Sequence, residues 1–239
     1  MLAGSLCHNT RRCPIDNVLL LDVDNTLLDN DHFEADLTAQ LERAFGRQGR
    51  DQFWRGYETL RTELGYANYF GAVQRFRGDA EANPQLLLLG NWLLDYPFAE
   101  CLFPGALDLL NYLSRFGPTV LLSDGDVVFQ PHKIRRAGLW DAVDGRVLIY
   151  VHKEQMLDAV KARFPAQHYV MVDDKPRVLA AMKQSMGDHL TTVFVRQGHY
   201  ANAPGARHDS ADVTIQRIAD LRHIDLRTPQ LADAHADAP

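Results

Sequence analysis

Five short runs in the chain are apolar rather than alternating: Val18–Leu21, Thr119–Leu122, Val147–Tyr150, Tyr169–Val172 and Thr192–Val195. A strand with one wet face alternates apolar and polar residues, so unbroken runs of this length suit strands covered on both faces. Such strands belong to parallel sheets sandwiched between helices. The intervening segments carry the helical period. Ala106, Leu109, Leu110 and Leu113 fall at i, i+3, i+4 and i+7; Met156, Leu157, Val160 and Phe164 mark a second helix, and Val178, Leu179, Met182 and Met186 a third. Pro176 suits the first turn of that third helix and Gly187 its end. The spacing places Met156 and Met182 in the core. The expected class is α/β, a doubly wound parallel sheet.

One interval breaks the rhythm. After the first run come roughly 70 residues without a convincing strand, whereas a βα connection usually takes about 2–6. Their pattern is helical, over Phe33 to Phe45, Phe53 to Leu64, Asn68 to Phe76 and Leu86 to Leu94. The expected organisation is a core of residues 15–30 and 104–225, interrupted by a helical block over 31–103. Residues 1–14 and 226–239 are expected to be flexible termini; Thr228–Pro239 is rich in Ala, Asp and Pro. There is no internal repeat.

Composition narrows the setting. At 239 residues and 46% hydrophobic, the chain can bury a core without metals or disulfides as staples. Cys7, Cys13 and Cys101 show no metal-binding spacing, which fits a reducing cytoplasm. No run approaches about 18 apolar residues, so no membrane partner is expected. The net charge is −6 with no basic tract, so nucleic acid is not expected either. An anionic ligand would need locally arranged positive charge.

Ligands of open α/β sheets sit beyond the carboxyl ends of the strands. The first run ends in Asp22-Val23-Asp24-Asn25-Thr26 and the second in Ser123-Asp124-Gly125. Lys153 comes shortly after the third, and the fourth ends in Asp173-Asp174. Each has a plainer reading, as a turn former, a helix cap or a surface lysine. Together they deliver four carboxylates, a hydroxyl and an ammonium to one rim. So many acids need a cation, and carboxylate and carbonyl oxygens suit Mg²⁺.

In these residues the chain resembles the haloacid dehalogenase-like (HAD) hydrolase superfamily, over about residues 15–200. Asp22 to Thr26 matches the family's DxDx(T/V) motif, and Ser123 the Ser or Thr that ends an apolar strand. Lys153 matches the motif lysine, and Asp173-Asp174 the acidic pair. The resemblance implies a Rossmann-like core with an inserted helical cap. It implies Asp22 as a nucleophile that forms an aspartyl-phosphate, and Asp24 as general acid and base. Mg²⁺ would be held by Asp22, the Asp24 carbonyl and Asp174, with Asp173 more remote. Ser123, Lys153 and the backbone near Asp124 and Gly125 would hold the phosphoryl oxygens.

Asp24 favours a phosphatase or phosphomutase over the family's dehalogenases, which lack Asp there because a halide needs no acid. A phosphonatase needs a cap lysine, and the first lysine here is Lys133. Arg43, Arg47, Arg50, Arg55, Arg61, Arg75 and Arg77 read as solvated faces of helices. Within Gly65 to Tyr69, Tyr66 and Asn68 are the expected substrate contacts. The resulting expectation is a Mg²⁺-dependent phosphatase for a small phosphorylated metabolite. A sugar phosphomutase and a non-catalytic phospholigand-binding protein are the alternatives, and the oligomeric state is left open.

Overall fold

The computed structural model describes residues 15–80, 83–201 and 211–226. Cys7, Cys13 and nearly all of both expected flexible termini lie outside them. Among the described residues, six parallel strands form one sheet: β1 (Ile15–Leu21), β2 (Thr119–Asp124), β3 (Val147–Tyr150), β4 (Ala166–Asp173), β5 (Leu190–Val195) and β6 (Val213–Ile215). Their order is β3-β2-β1-β4-β5-β6, with every pairing parallel. This is an α/β, Rossmann-like fold, with a packed core on each face of the sheet. The five apolar runs are all strands; β6 is a sixth that the sequence did not announce.

The apolar runs have a direct cause in β1. Leu19 and Leu21 point into one core cluster, and Val18 and Leu20 into another on the opposite face. A polar residue at any of these positions would meet packed side chains rather than water. The order of strand addition reverses at β1, which pairs with β2 on one side and β4 on the other. The crevice at such a switch point is where ligands of these folds bind.

Among the described residues, three helices fill the inserted block between β1 and residue 103: α1 (Asn30–Leu64), α2 (Tyr69–Ala80) and α3 (Gln85–Asp95). The two helical stretches expected over 33–64 are the arms of α1, which breaks at Gly46 (φ 70°, ψ 178°). That positive φ suits glycine. The arms touch beyond the break, where the Trp54 indole N–H donates to Thr38 Oγ1 at 3.1 Å. Phe33, on the first arm, packs against the rings of Tyr69, Tyr96, Phe98 and Phe129 at centroid distances of 5.2, 5.0, 5.1 and 6.0 Å. Its partners come from both sides of the interval's end, so the inserted helices share one apolar cluster with the sheet side.

The other helices are α4 (Ala106–Leu113), α5 (Phe129–Arg136), α6 (Leu139–Ala142), α7 (Leu157–Arg163), α8 (Pro176–Met186) and α9 (Gly198–Ala201). Pro176 opens α8 and Gly187 caps it, as the sequence implies. Met182 is fully buried, but Met156 is 38% exposed, against expectation. It lies between the 3₁₀ turn Lys153–Gln155 and α7, so the helical period does not yet apply to it. Among the described residues, no helix is long and apolar enough to cross a membrane.

Candidate active site

Parallel register sets the site's geometry. Leu21 pairs with Leu121 and with Val172, so the residues that follow emerge side by side at one sheet edge. The Asp22 N–H donates to Val172 O at 2.9 Å, which locks the end of β1 to β4. Asp22, Ser123, Lys153, Asp173 and Asp174 are all at least 99% buried.

Lys153 is the centre of this cluster. Its ammonium pairs with Asp22 Oδ1 and with Asp173 Oδ2, the latter at 2.7 Å, and donates to Leu122 O at 3.2 Å. Its backbone N–H donates to Asp124 Oδ1 at 2.8 Å. Burial alone would discharge the lysine, yet Asp173 and Asp22 raise its pKa above the ordinary value. Burial also opposes the charge on Asp22, but Lys153 and Lys175 outweigh it and hold that carboxyl below its usual range. Burial and the Asp22 charge push Asp173 and Asp124 up. Thr26 Oγ1 donates to Asp22 Oδ2 at 3.4 Å.

Asp174 is the exception. Both its carboxylate oxygens are buried without a hydrogen-bond partner among the described residues. Burial, with Asp173 and Asp22 nearby, pushes its pKa up to about 9 despite Lys175. A buried carboxylate with no donor is costly. Asp22, Asp173 and Asp174 offer oxygens that lie within 4.8 Å of one another. Asp173 is committed to Lys153 and to the Lys175 N–H at 2.8 Å, which leaves the Asp174 oxygens for a cation. The donor set fits a hard divalent ion.

A cavity of about 960 Å³ opens beside this cluster. Asp24, Asp124, Lys175, Gln130 and Lys133 line its core side, and Glu34, Tyr57, Arg61, Tyr66 and Tyr69 its helical side. Asp22, Ser123, Lys153, Asp173 and Asp174 are not part of this wall. Both Asp24 oxygens are held, Oδ1 by Lys133 Nζ at 2.5 Å and Oδ2 by Gln130 Nε2 at 3.1 Å.

Comparison with known proteins decides the family. A family model of haloacid dehalogenase-like hydrolases matches residues 17–185. The chain belongs to the haloacid dehalogenase-like hydrolase family. A haloacid dehalogenase-like hydrolase of Burkholderia xenovorans LB400 is 59% identical, with a TM-score of 0.83, over 89% of this chain and 97% of that one. More distant structures share the fold. The HAD-hydrolase YfnB of Bacillus subtilis, bound to magnesium, is 17% identical (TM-score 0.59; 87% of this chain, 97% of that one). L-2-haloacid dehalogenase of Xanthobacter autotrophicus is 16% identical (TM-score 0.59; 87% and 97%). No curated protein matches the chain.

Within this hydrolase, some expected substrate contacts are elsewhere employed. The Gly125 N–H donates to Tyr150 O at 2.9 Å, and Gly125 does not line the cavity. It is therefore spent on tying the end of β2 to β3. Tyr66 faces the cavity, but Asn68 does not: its Oδ1 accepts from the Gly71 N–H at 2.7 Å, capping α2. Arg61, expected on a solvated face, lines the cavity and donates to the Tyr200 hydroxyl at 2.7 Å. The sequence reading also missed Lys175, Lys133 and Gln130. Lys175 directly follows the acidic pair, and that adjacency was the available signal. Its ammonium lies 5.4 Å from the Tyr200 ring centroid, and its pKa is raised because Asp22, Asp174 and Asp173 outweigh its burial.

Proposed function

We propose that this hydrolase is a Mg²⁺-dependent phosphatase acting on a small phosphorylated metabolite, with the helices of 31–103 as its cap. The observation that carries this reading is Asp24. It presents a carboxylate to the cavity, two residues after the buried Asp22, where a leaving group would need a proton. A halide leaves without one, so a dehalogenase would have no use for this side chain. A phosphonatase would need a neutral amine, and Lys133, which does line the cavity, is ion-paired with Asp24.

In the proposed chemistry an Asp22 carboxylate oxygen attacks phosphorus as the bond to the leaving oxygen breaks, giving an aspartyl-phosphate. Asp24 gives its proton to the leaving oxygen, then takes one from the water that hydrolyses the acyl phosphate. Lys153 keeps Asp22 ionised for the first step. Asp22 and Asp174, with the Asp24 carbonyl, would hold Mg²⁺, whose charge lets an anionic nucleophile meet an anionic phosphate. Lys175 adds a cation at the cavity wall, and Ser123 and Asp124 remain the candidates nearest the transferring group. Tyr66 and Arg61 would meet the rest of the substrate.

The test is hydrolysis of p-nitrophenyl phosphate in Mg²⁺. Wild-type protein should release phosphate and lose activity on chelation. Asp22→Asn should abolish turnover while leaving the circular dichroism spectrum intact; retained turnover would remove Asp22 as nucleophile.

A further inference from the structure

We propose that Lys133 and Gln130 form a positioning pair that aims the Asp24 carboxylate at the leaving group, a role resting on the phosphatase reading above. Both stand on α5, three residues apart and hence on one face. They are 1% and 4% exposed, on a helix whose buried face is therefore partly polar. Each makes a second contact that fixes its own direction. Gln130 Nε2 also donates to Ser123 Oγ at 2.9 Å, and Lys133 Nζ to Asn30 Oδ1 at 3.2 Å. The start of α5 is itself pinned, since Asp126 Oδ1 accepts the N–H groups of Val128 and Phe129 at 2.8 and 2.7 Å.

A plain structural ion pair would account for the burial of Lys133. It does not account for two donors, one on each Asp24 oxygen, both reaching the cavity wall, while Asp24 itself stays 25% exposed there. A carboxylate that must first give and then take a proton gains from a fixed direction, because transfer requires hydrogen-bond reach. Oxygen lone pairs remain free for that proton, since each oxygen accepts a single hydrogen bond from the pair. The contact with Asn30, the first residue of α1, ties this aim to the inserted helices.

The pair should matter in proportion to the leaving group's need for a proton. Turnover would be measured in Mg²⁺ with p-nitrophenyl, phenyl and p-methoxyphenyl phosphates for wild type, Lys133→Met and Gln130→Leu. Circular dichroism would check that each variant is folded. Lys133→Met should slow phenyl and p-methoxyphenyl phosphate about tenfold more than p-nitrophenyl phosphate, and Gln130→Leu less, in the same direction. If Lys133→Met does not fold, the Gln130→Leu series and Lys133→Arg, which keeps the charge and should restore most of the slope, decide the matter. Equal losses across the three esters by an active enzyme overturn the positioning role alone. A wild type that hydrolyses none of them overturns the phosphatase reading, and the pair's role with it.

Discussion

The buried sheet edge and the helical wall of the cavity beside it solve burial in opposite ways. At the sheet edge, charge is met by charge: Lys153, with no exposed surface, sits between Asp22 and Asp173. On the helical side, rings meet rings around Phe33, and one acid, Glu34, is held by neutral donors. It accepts from the Tyr69 hydroxyl at 2.8 Å and from the Asn30 amide at 3.1 Å. Strand register places the first, and side-chain packing places the second. Ionic contacts at the edge are therefore costly to break singly, while the helical wall should tolerate conservative change.

The largest expected effect is at the edge. Lys153→Met strands two buried carboxylates and should cost about 3–5 kcal/mol in urea denaturation. A cost below about 1 kcal/mol would show that the carboxylates are not held by this lysine, and would break the contrast. On the helical side, Phe33→Leu keeps most of the volume and loses the ring contacts, so about 1–2 kcal/mol is expected by the same method. A loss equal to that of Lys153→Met would make the helical wall as exacting as the sheet edge.

The smallest effect concerns pH. Burial raises the Glu34 pKa above the ordinary glutamate value of 4.5, more than the Tyr69 hydrogen bond lowers it. The folded protein then holds a proton that the unfolded chain has released. Stability from this group is complete below the ordinary value and is lost as pH rises through the raised one. Denaturation midpoints of wild type should fall across that window, and Glu34→Gln should flatten the fall. Parallel curves for the two proteins would show that Glu34 is not buried in solution.

The same division explains what the sequence disclosed. The apolar runs were readable because β1 feeds two cores at once, leaving no polar position to confuse the pattern. Their ends then named Asp22, Ser123 and Asp173 without any tertiary knowledge. Lys133 and Gln130 were not readable, because polar residues on a helix are assigned to water by any periodic rule, and here they face a carboxylate. Arg61 could not be told from the other arginines of its segment, since only packing turns it towards the cavity. Tyr66 and Asn68 share one loop and one expectation, yet one lines the cavity and the other caps a helix. β6 is three residues long, too short for a pattern of its own.

The pairing of β1 with β4 sets a timetable for the chain's synthesis. Asp22 precedes Lys153 by 131 residues. At ordinary elongation rates, the ribosome needs on the order of ten seconds to cover that distance. Throughout that delay the β4-facing edge of β1 has no partner, and Val18 and Leu20 lack the side chains of α7 and α8 that later cover them. Asp22 meanwhile stays hydrated, and its ion pair forms only when the later half of the chain docks. The nascent chain is thus most vulnerable to edge-to-edge association before this buried charge cluster exists.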